Sequence, residues 1–377
     1  MYCDVFMFHM PVRIHFKHGA SLAMADYIDG NQVLILISHT LYKNGTAEAI
    51  EKSLSKVQVT FFHEIETDPT TACVQKAVLK AKELQATTII GIGGGSCLDV
   101  AKAVACLATS SVDINDYLEG NSVNQRKLKL ILVPTTAGTG SEVTNVGVYT
   151  NTATGEKIPV VSPYFYADDA VIDPSLTYTM PSKVTANTGM DAFCHALEAY
   201  WNLNSNPISD ELAVSAMKLI LKHLSTVYHQ PAHEEARNEM MLASLLAGIA
   251  FAQTRTTGAH ALSYPLSALF HCTHGEACAI TLPAWIKISH ELADEKMKKL
   301  EKELGYENEE AFASAVENLL MDIHMPVYLS SLGVEKKDVD VIAAKAMRYQ
   351  SQLALTPAKI NEGVVKALIL SILSKEE

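Results

Sequence analysis

The stretch TTIIGIGGGSCLDVAKAVACLA, residues 87–108, decides the fold of this chain. Its first seven residues are a short apolar run typical of a buried parallel strand. Glycines follow, and the periodicity of residues 96–108 then predicts a helix. Such a turn suits a phosphate, because glycines let backbone N–H groups approach it and the helix N-terminus favours negative charge. The spacing Gly91-x-Gly93-x-x-Ser96 approximates the dinucleotide fingerprint, with Ser at the third small position; an ordinary tight turn is the alternative.

The segments on either side repeat this alternation of strand and helix. Strands are predicted at residues 32–38, 57–62 and 87–93 and in KLILVPT, which ends at Thr135, and helices at 45–57, 69–84 and 96–108. Extended structure is predicted for residues 4–16 and for VGVYT and EKIPVV, which flank a turn at 151–155. This order predicts a Rossmann-like α/β domain with a parallel sheet and helices on both faces.

A second small, polar loop, VPTTAGTGSEVT at residues 133–144, follows the last of these strands. Ligands of open parallel sheets bind at the carboxyl ends of the strands. Two such loops after separate strands favour a nucleotide site more than either loop alone. The alternative is an ordinary Gly/Thr turn.

Helical periodicity dominates after Pro181. Helices are predicted at residues 191–201, 208–228, 234–252, 262–270 and 276–293, with Pro283 kinking or splitting the last. The 377 residues suit two domains. We therefore predict a dinucleotide-binding α/β domain at residues 1–180 and an all-helical domain at 181–377, with the boundary near residues 178–182.

One carboxylate and three imidazoles form a candidate metal site in the helical half. Asp191 and His195 are four residues apart, so a helix places both on one face. His260 and His274 complete a donor set suited to Fe(II) or Zn(II). Ordinary hydrogen-bonded structure is the alternative. Two cysteines that flank His274 could act as soft ligands or be buried free thiols: Cys272 and Cys278.

Charge and cysteine content narrow the class of protein. The formal net charge is −12 and no Lys/Arg stripe is visible, which argues against a nucleic-acid partner. Seven cysteines without a CxxC pair fit a reducing, cytoplasmic compartment. The N-terminus does not have the pattern of a signal peptide, and no apolar run has the length of a membrane helix.

Four motifs resemble those of the iron-containing (group III) alcohol dehydrogenases, over nearly the whole chain and in the family's order: GGGSCLDVAKAVA, PTTAGTGSEVT, GMDAFCHALEAY and HALSYPLSALFHCTHG. The resemblance implies a dehydroquinate synthase-like architecture with the metal in the cleft between two domains. It implies a homodimer or higher homo-oligomer, often joined through strands near the N-terminus.

The resemblance also implies roles for individual residues. The metal ligands would be Asp191, His195, His260 and His274. The cofactor NAD(H) or NADP(H) would contact Gly93, Gly94, Gly95, Ser96, Asp99, Thr135, Thr136, Thr139, Lys157 and Phe251. Fe(II), with Zn(II) as the alternative, would polarise the oxygen of a small alcohol or aldehyde while the nicotinamide exchanges a hydride.

Several positions depart from the family pattern. Tyr264 stands where many members have a second His, so the usual proton path and substrate are in question. Ser38 replaces an Asp that NAD-preferring members carry near the ribose, which makes NADP(H) admissible; Ser38 bonding the ribose of NAD(H) is the alternative. Thr273 replaces a Pro and should loosen the turn before His274 slightly. His271 is an extra imidazole that could handle substrate or protons, or simply line the cleft.

Other activities remain open at this stage. HALSYPL, with Tyr264, also resembles a subgroup that acts on phosphonoacetaldehyde, and the glycerol dehydrogenase branch typically uses zinc and fewer His ligands. A dehydroquinate-synthase-type lyase would need several cations for its substrate, and Arg255 is the only one near the metal motifs. A non-catalytic nucleotide-binding protein is disfavoured by the intact ligand set.

Overall fold

The computed structural model describes residues 5–121, 123–357 and 359–374. They divide into two compact units. One spans Met10–Thr177; the other holds the described residues after Thr177 together with those before Met10. The N-terminal segment is attached to the second unit at His9, whose N–H donates to Gln253 Oε1 and whose C=O accepts from Gln253 Nε2, both at 3.0 Å. The domain limits 1–180 and 181–377 stay predictions.

The first unit is built on a parallel sheet, and this fold class confirms the prediction. Its strands are β1 Arg13–Phe16, β2 Gln32–Ile37, β3 Gln58–Phe62, β4 Thr88–Gly93, β5 Lys129–Pro134, β6 Val146–Thr150, β7 Lys157–Val161 and β8 Asp169–Ile172. Six of them pair in parallel in the order β1-β8-β5-β4-β2-β3, while β6 and β7 form a separate antiparallel hairpin.

The helices of this unit are α1 His39–Lys43, α2 Thr46–Ser53, α3 Thr71–Glu83, α4 Gly95–Leu107 and α5 Ile114–Leu118. The helix predicted at 45–57 is α2, which ends at Ser53, and the preceding α1 was not predicted; Gly45, at φ 92°, lies between the two helices. The prediction of extended structure at 4–16, whose first residue lies outside the described residues, holds as a strand only from Arg13. The strand β8 was not predicted, because its four residues, DAVI, are too few to show a period.

Close packing of α4 on the sheet explains why residue 91, in the stretch 87–108, is a glycine. Every residue of β4 is buried, and α4 buries most of its surface as well. A Cβ at Gly91 would lie 2.7 Å from the Cβ of Ala101, closer than two carbon atoms pack. The glycine therefore sets how near α4 can approach β4.

The second unit is helical. Its helices are α6 Ser182–Trp201, α7 Pro207–His229, α8 Glu234–Thr254, α9 Gly258–Phe270, α10 His274–Ala279, α11 Leu282–Leu292, α12 Asp294–Leu304, α13 Glu309–Asp322, α14 Val339–Ala346, α15 Gln350–Leu353 and α16 Glu362–Ser371. The predicted helix 276–293 is split, and Pro283 stands in the first turn of α11. Among the described residues, no helix combines the length and apolar character needed to cross a membrane.

Candidate metal and nucleotide sites

The predicted nucleotide loops meet at one edge of the sheet. Ile37 pairs with Ile92, and Gly93 pairs with Pro134, so β2, β4 and β5 end together. Just beyond these ends, the N–H of Ser38 donates to the C=O of Ile92 at 3.2 Å. The N–H of Thr135 likewise donates to the C=O of Gly93 at 3.0 Å. Ser38 and both loops therefore lie side by side at the carboxyl edge.

The glycine loop and the loop at residues 133–144 line one space, here called the cradle. The glycines place no side chain in this space. A Cβ on Gly94 would lie 3.5 Å from Thr136 Cγ2, and one on Gly95 would lie 3.1 Å from Thr139 Cγ2. Gly94 is the N-cap of α4 and makes no side-chain cap, which leaves backbone N–H groups of the first turn to be satisfied by a ligand. Thr136 Oγ1 is buried and has no hydrogen-bond partner among the described residues. A phosphate fits both features.

Asp99 is engaged inside the protein. Its carboxylate accepts from Ser141 Oγ at 2.6 Å and from the N–H of Val148 at 2.9 Å. The Nζ of buried Lys102 lies 3.7 Å from it, and burial lowers the pKa of Lys102 to about 8. Asp99 thereby ties α4 to the β6–β7 hairpin.

Lys157, on that hairpin, is also held by a protein partner. Its Nζ lies 2.8 Å from a carboxylate oxygen of Asp68. The cofactor roles of Asp99, Lys157 and Ser96 stay predictions.

The four predicted metal ligands converge in the helical unit. Asp191 and His195 lie on one face of α6, His260 on α9 and His274 at the start of α10. The Nε2 atoms of His260 and His274 are each 3.5 Å from Asp191 Oδ1, and that of His195 is 3.9 Å away. Four donors from three helices thus face one point.

Two of these donor atoms are buried without a partner. Asp191 Oδ1 and His260 Nε2 make no hydrogen bond within the described residues, and both side chains are largely buried. Leaving such groups unpaired costs about 1–3 kcal/mol each. Burial lowers the pKa of His195, which favours the neutral, metal-binding imidazole. The pKa of Asp191 is lowered although burial alone would raise it, because the imidazoles outweigh burial. The donor set therefore fits a divalent metal ion.

Glu198 orients His260, and sequence analysis missed it. This fully buried residue lies one turn after His195 on α6. Its Oε2 lies 2.5 Å from His260 Nδ1. A carboxylate that accepts a hydrogen bond from Nδ1–H keeps the proton on Nδ1 and leaves the lone pair of Nε2 free for a metal. The signal in the sequence is the spacing of Asp191, His195 and Glu198, at positions i, i+4 and i+7 of one helix face.

The same carboxylate fixes the start of α9. Glu198 Oε1 accepts from the N–H of Ala259 at 2.7 Å and from Thr257 Oγ1 at 2.8 Å. This cap explains why α9 begins at Gly258 and not at the predicted residue 262, so that His260 lies within its first turn. A residue distant in sequence makes this cap, which is why periodicity did not detect it.

His274 is placed by the tight packing of α10 on α6. Thr273 caps α10, exchanging hydrogen bonds with Glu276. A Cβ on Gly275 would collide with the backbone of Asn187 on α6. The Pro-to-Thr departure at Thr273 thus supplies a helix cap. His274 keeps 41% of its side-chain surface accessible and is the most exposed of the four predicted ligands.

Three further residues with predicted roles lie at different distances from the proposed metal ligands. Phe251 stacks on His195, with ring centroids 4.2 Å apart. Tyr264 has its ring centroid 6.4 Å from that of His274, and its Oη lies 3.4 Å from Gln352 Nε2. His271 is exposed at the C-cap of α9, with φ 54°. No described contact joins His271 to the metal ligands.

Comparison with known proteins agrees with this geometry. Residues 11–174 match the family described as "Iron-containing alcohol dehydrogenase", and residues 185–373 match "Fe-containing alcohol dehydrogenase family, C-terminal". The chain is 34% identical over 354 residues to long-chain-alcohol dehydrogenase 1 of Geobacillus thermodenitrificans, covering 90% of this chain and 89% of that one. It is 32% identical over 354 residues to sulfoacetaldehyde reductase of Bilophila wadsworthia, covering 91% and 92%. The crystal structure of sulfoacetaldehyde reductase from Bifidobacterium kashiwanohense in complex with NAD+ has a TM-score of 0.95 at 30% identity, covering 99% and 100%.

Proposed function

Since this chain belongs to the iron-containing alcohol dehydrogenase family, we propose that Asp191, His195, His260 and His274 hold its metal. The chain is an NAD(P)-dependent oxidoreductase of alcohols and aldehydes that uses iron. The observation that carries the ligand assignment is the convergence of three Nε2 atoms on Asp191 Oδ1, within 3.5–3.9 Å.

Each residue around the proposed metal site has its own role in the proposed reaction. Bound iron supplies a Lewis acid that polarises the substrate oxygen. Glu198 accepts a hydrogen bond from His260 Nδ1–H and so keeps the proton on Nδ1. The lone pair of Nε2 is then available to the metal. Burial raises the pKa of Tyr264, so its hydroxyl keeps its proton and can donate a hydrogen bond. Phe251, stacked on His195, stays the predicted neighbour of the nicotinamide.

The activity is tested by a screen of small aldehydes with NADH and NADPH, in protein loaded with Fe(II), with Zn(II) or with no metal. We expect reduction that requires metal and is lost in Asp191→Asn. Asp322→Asn is the matched control, because Asp322 is an exposed carboxylate paired with a histidine in the same unit. Undiminished turnover in metal-free protein would contradict the proposal.

The cofactor contacts proposed for this chain are Ser38, Gly93, Gly94, Gly95, Ser96, Asp99, Thr135, Thr136, Thr139, Lys157 and Phe251. The cradle at the sheet edge supports the glycines and Thr136 most directly, through their close approach and the unpartnered Oγ1. Ser38 lies at that edge without a carboxylate, which supports use of NADP(H) at least comparably with NAD(H). His39 and Lys43, both exposed, follow it on α1.

A homodimer or higher homo-oligomer in the cytoplasm is proposed on two observations. Val5 and Met7 are 82% and 83% exposed, an apolar stretch that a second chain could cover. The six cysteines within the described residues are free thiols, which suits a reducing compartment. Light scattering at micromolar concentration should give at least twice the 41.0 kDa chain mass. A monomer mass would contradict the assembly.

An aldehyde with an anionic group is the second candidate substrate, favoured by Arg255. This exposed residue adopts φ 73° and ψ 175°, a conformation that costs a non-glycine residue about 1–3 kcal/mol. It lies between Phe251 and His260 in the chain, and Asn202 Nδ2 donates to its C=O at 3.0 Å. Strain of this kind persists at functional sites.

Arg255→Gly tests this candidate, because glycine relieves the strain and removes the cationic side chain. We expect kcat/KM for sulfoacetaldehyde to fall by about tenfold or more while that for propanal is unchanged. Equal loss for both substrates would indicate a structural role and contradict the candidate.

A further inference from the structure

We propose that the sulfur of Cys278 is an additional ligand of the metal, so that the donor set of this chain combines carboxylate, imidazole and thiolate. The inference rests on the proposed metal site and extends it. Cys278 is fully buried on α10, one helical turn after His274. That spacing of four repeats the spacing of Asp191 and His195 on α6, so each helix presents two donors on one face.

The distances support coordination by the sulfur. Cys278 Sγ lies 3.7 Å from His274 Nε2. One donor atom from each of Asp191, His260, His274 and Cys278 lies within 4.8 Å of every other. Bonds of about 2.0–2.3 Å to one metal place neighbouring donors roughly 2.8–3.8 Å apart, so small side-chain movements suffice. The buried, unpartnered Asp191 Oδ1 and His260 Nε2 belong to the same group.

His195 stands slightly apart from this tight group. Its Nε2 lies 3.9 Å from Asp191 Oδ1, against 3.5 Å for the other two imidazoles. Its ring is stacked on Phe251 at 4.2 Å and on His260 at 4.7 Å. Cys278 therefore joins a core of Asp191, His260 and His274, with His195 as a fifth donor.

A thiolate ligand changes which metals the site prefers. Sulfur is a soft donor that favours Zn(II), Co(II) and Cd(II), whereas carboxylate and imidazole alone suit harder ions such as Mn(II). We therefore expect Cys278 to set the selectivity of this site among divalent metals.

Cobalt substitution provides the test. Protein loaded with Co(II) should show a thiolate-to-metal charge-transfer band in the near ultraviolet as well as visible d–d bands. The band should disappear in Cys278→Ser, which retains size and polarity. Cys106→Ser is the matched control, because Cys106 is equally buried, lies on α4 and is outside the donor group. It should keep the band.

X-ray absorption of the zinc-loaded chain gives a second readout that does not depend on activity. A sulfur scatterer at about 2.3 Å is expected in the wild type and in Cys106→Ser, and none in Cys278→Ser. In competition, Cys278→Ser should lose about tenfold or more in affinity for Cd(II) relative to Mn(II). Circular dichroism confirms that each variant is folded, and Cys278→Ala replaces Cys278→Ser should the latter fail to fold.

The outcomes separate this inference from the site on which it rests. Cobalt bound with d–d bands but without the charge-transfer band would overturn the Cys278 ligand and leave the carboxylate–imidazole site intact. A charge-transfer band that survives in Cys278→Ser would overturn it as well. Failure of the folded wild type to bind cobalt or zinc would contradict the metal site itself, and Cys278 with it.

Discussion

The edge of the sheet and the helical metal cluster are built on opposite principles. At the sheet edge the backbone forms the proposed site, because glycines leave space and strand ends bring main-chain N–H groups together. In the helical cluster side chains form the proposed site, and donor atoms from three helices meet around Asp191 Oδ1. The first kind of site is contiguous in sequence, whereas the second is dispersed over more than eighty residues.

This difference predicts different responses to mutation. A backbone site is damaged by adding atoms, because any side chain occupies the space of the ligand. A side-chain site is damaged by removing or reorienting atoms, because each donor is held by a neighbour such as Glu198. The following variants separate the two.

Removing a ligand should have the largest effect. His260→Ala should abolish metal binding and lower kcat/KM roughly 10³-fold or more, since a metal Lewis acid supplies several kcal/mol. Elemental analysis and steady-state kinetics measure both. The sheet-edge site should still bind dinucleotide, as measured by NADH fluorescence. His229→Ala, at an exposed histidine, is the control. Full metal occupancy in His260→Ala would contradict the assignment of His260 as a metal ligand.

Reorienting a ligand should have the next largest effect. In Glu198→Gln the amide can still accept from Ala259, but its NH2 group would face His260 Nδ1. The imidazole would then carry its proton on Nε2 and bind metal about 10–100-fold more weakly, with the fold retained. Isothermal titration with Zn(II) checks this.

Glu301→Gln is the matched control for Glu198→Gln. Buried Glu301 accepts from His290 Nδ1 at 2.8 Å in the same helical unit, away from the proposed ligands. Glu301→Gln should leave the affinity for zinc at the proposed site of Asp191, His260 and His274 unchanged. Equal weakening in both variants would indicate a general loss of packing.

Adding a methyl group to the cradle should weaken dinucleotide binding about tenfold. Gly94→Ala is suitable because φ −76° and ψ −176° are open to alanine and the new Cβ meets Thr136 only at 3.5 Å. Gly91→Ala is the contrast, since its Cβ would press on Ala101 and lower stability by about 1–3 kcal/mol. Fluorescence titration and thermal unfolding distinguish them; an unchanged Kd in Gly94→Ala would argue against the cradle.

A charge at the same edge should affect cofactor choice. Ser38→Asp places a carboxylate near the expected ribose 2′ position, where repulsion of a phosphate costs about 1 kcal/mol or more. That is roughly a tenfold shift of the kcat/KM ratio toward NAD(H), chiefly through KM for NADP(H). Ser38→Asn controls for size without charge. Strong discrimination against NADP(H) in the wild type would refute the premise.

The smallest effect concerns acid stability of the sheet. Burial alone would raise the pKa of Asp169 on β8, but hydrogen bonds from Arg13, Lys129 and His15 hold it well below its usual value. A depressed carboxyl pKa stabilises the folded state above the unfolded value, near pH 4, and this stabilisation is lost as pH falls toward the folded pKa. Asp169→Asn should therefore lower Tm by a few degrees at pH 7, and the two Tm curves should converge on acidification. Curves that stay parallel would contradict this.

Much of the fold followed from local patterns. The strands β2, β4 and β5 were predicted within one or two residues because apolar runs bounded by glycine or proline carry a strong signal. The element β8 was missed because it is only four residues long. The helix α1 was not predicted, and α2 begins after Gly45 at φ 92°, a backbone state that periodicity does not reveal.

Local sequence was enough to predict where the two proposed nucleotide loops lie, since each of them directly follows a strand along the chain. It also supplied the ligand types and the pairing of Asp191 with His195, because a helix converts a spacing of four into one face. Only the tertiary structure decided that Glu198 caps α9 and orients His260, and that Cys278 Sγ lies 3.7 Å from His274 Nε2. Those contacts join helices far apart in sequence, and their geometry depends on close packing such as that of Gly275 against α6.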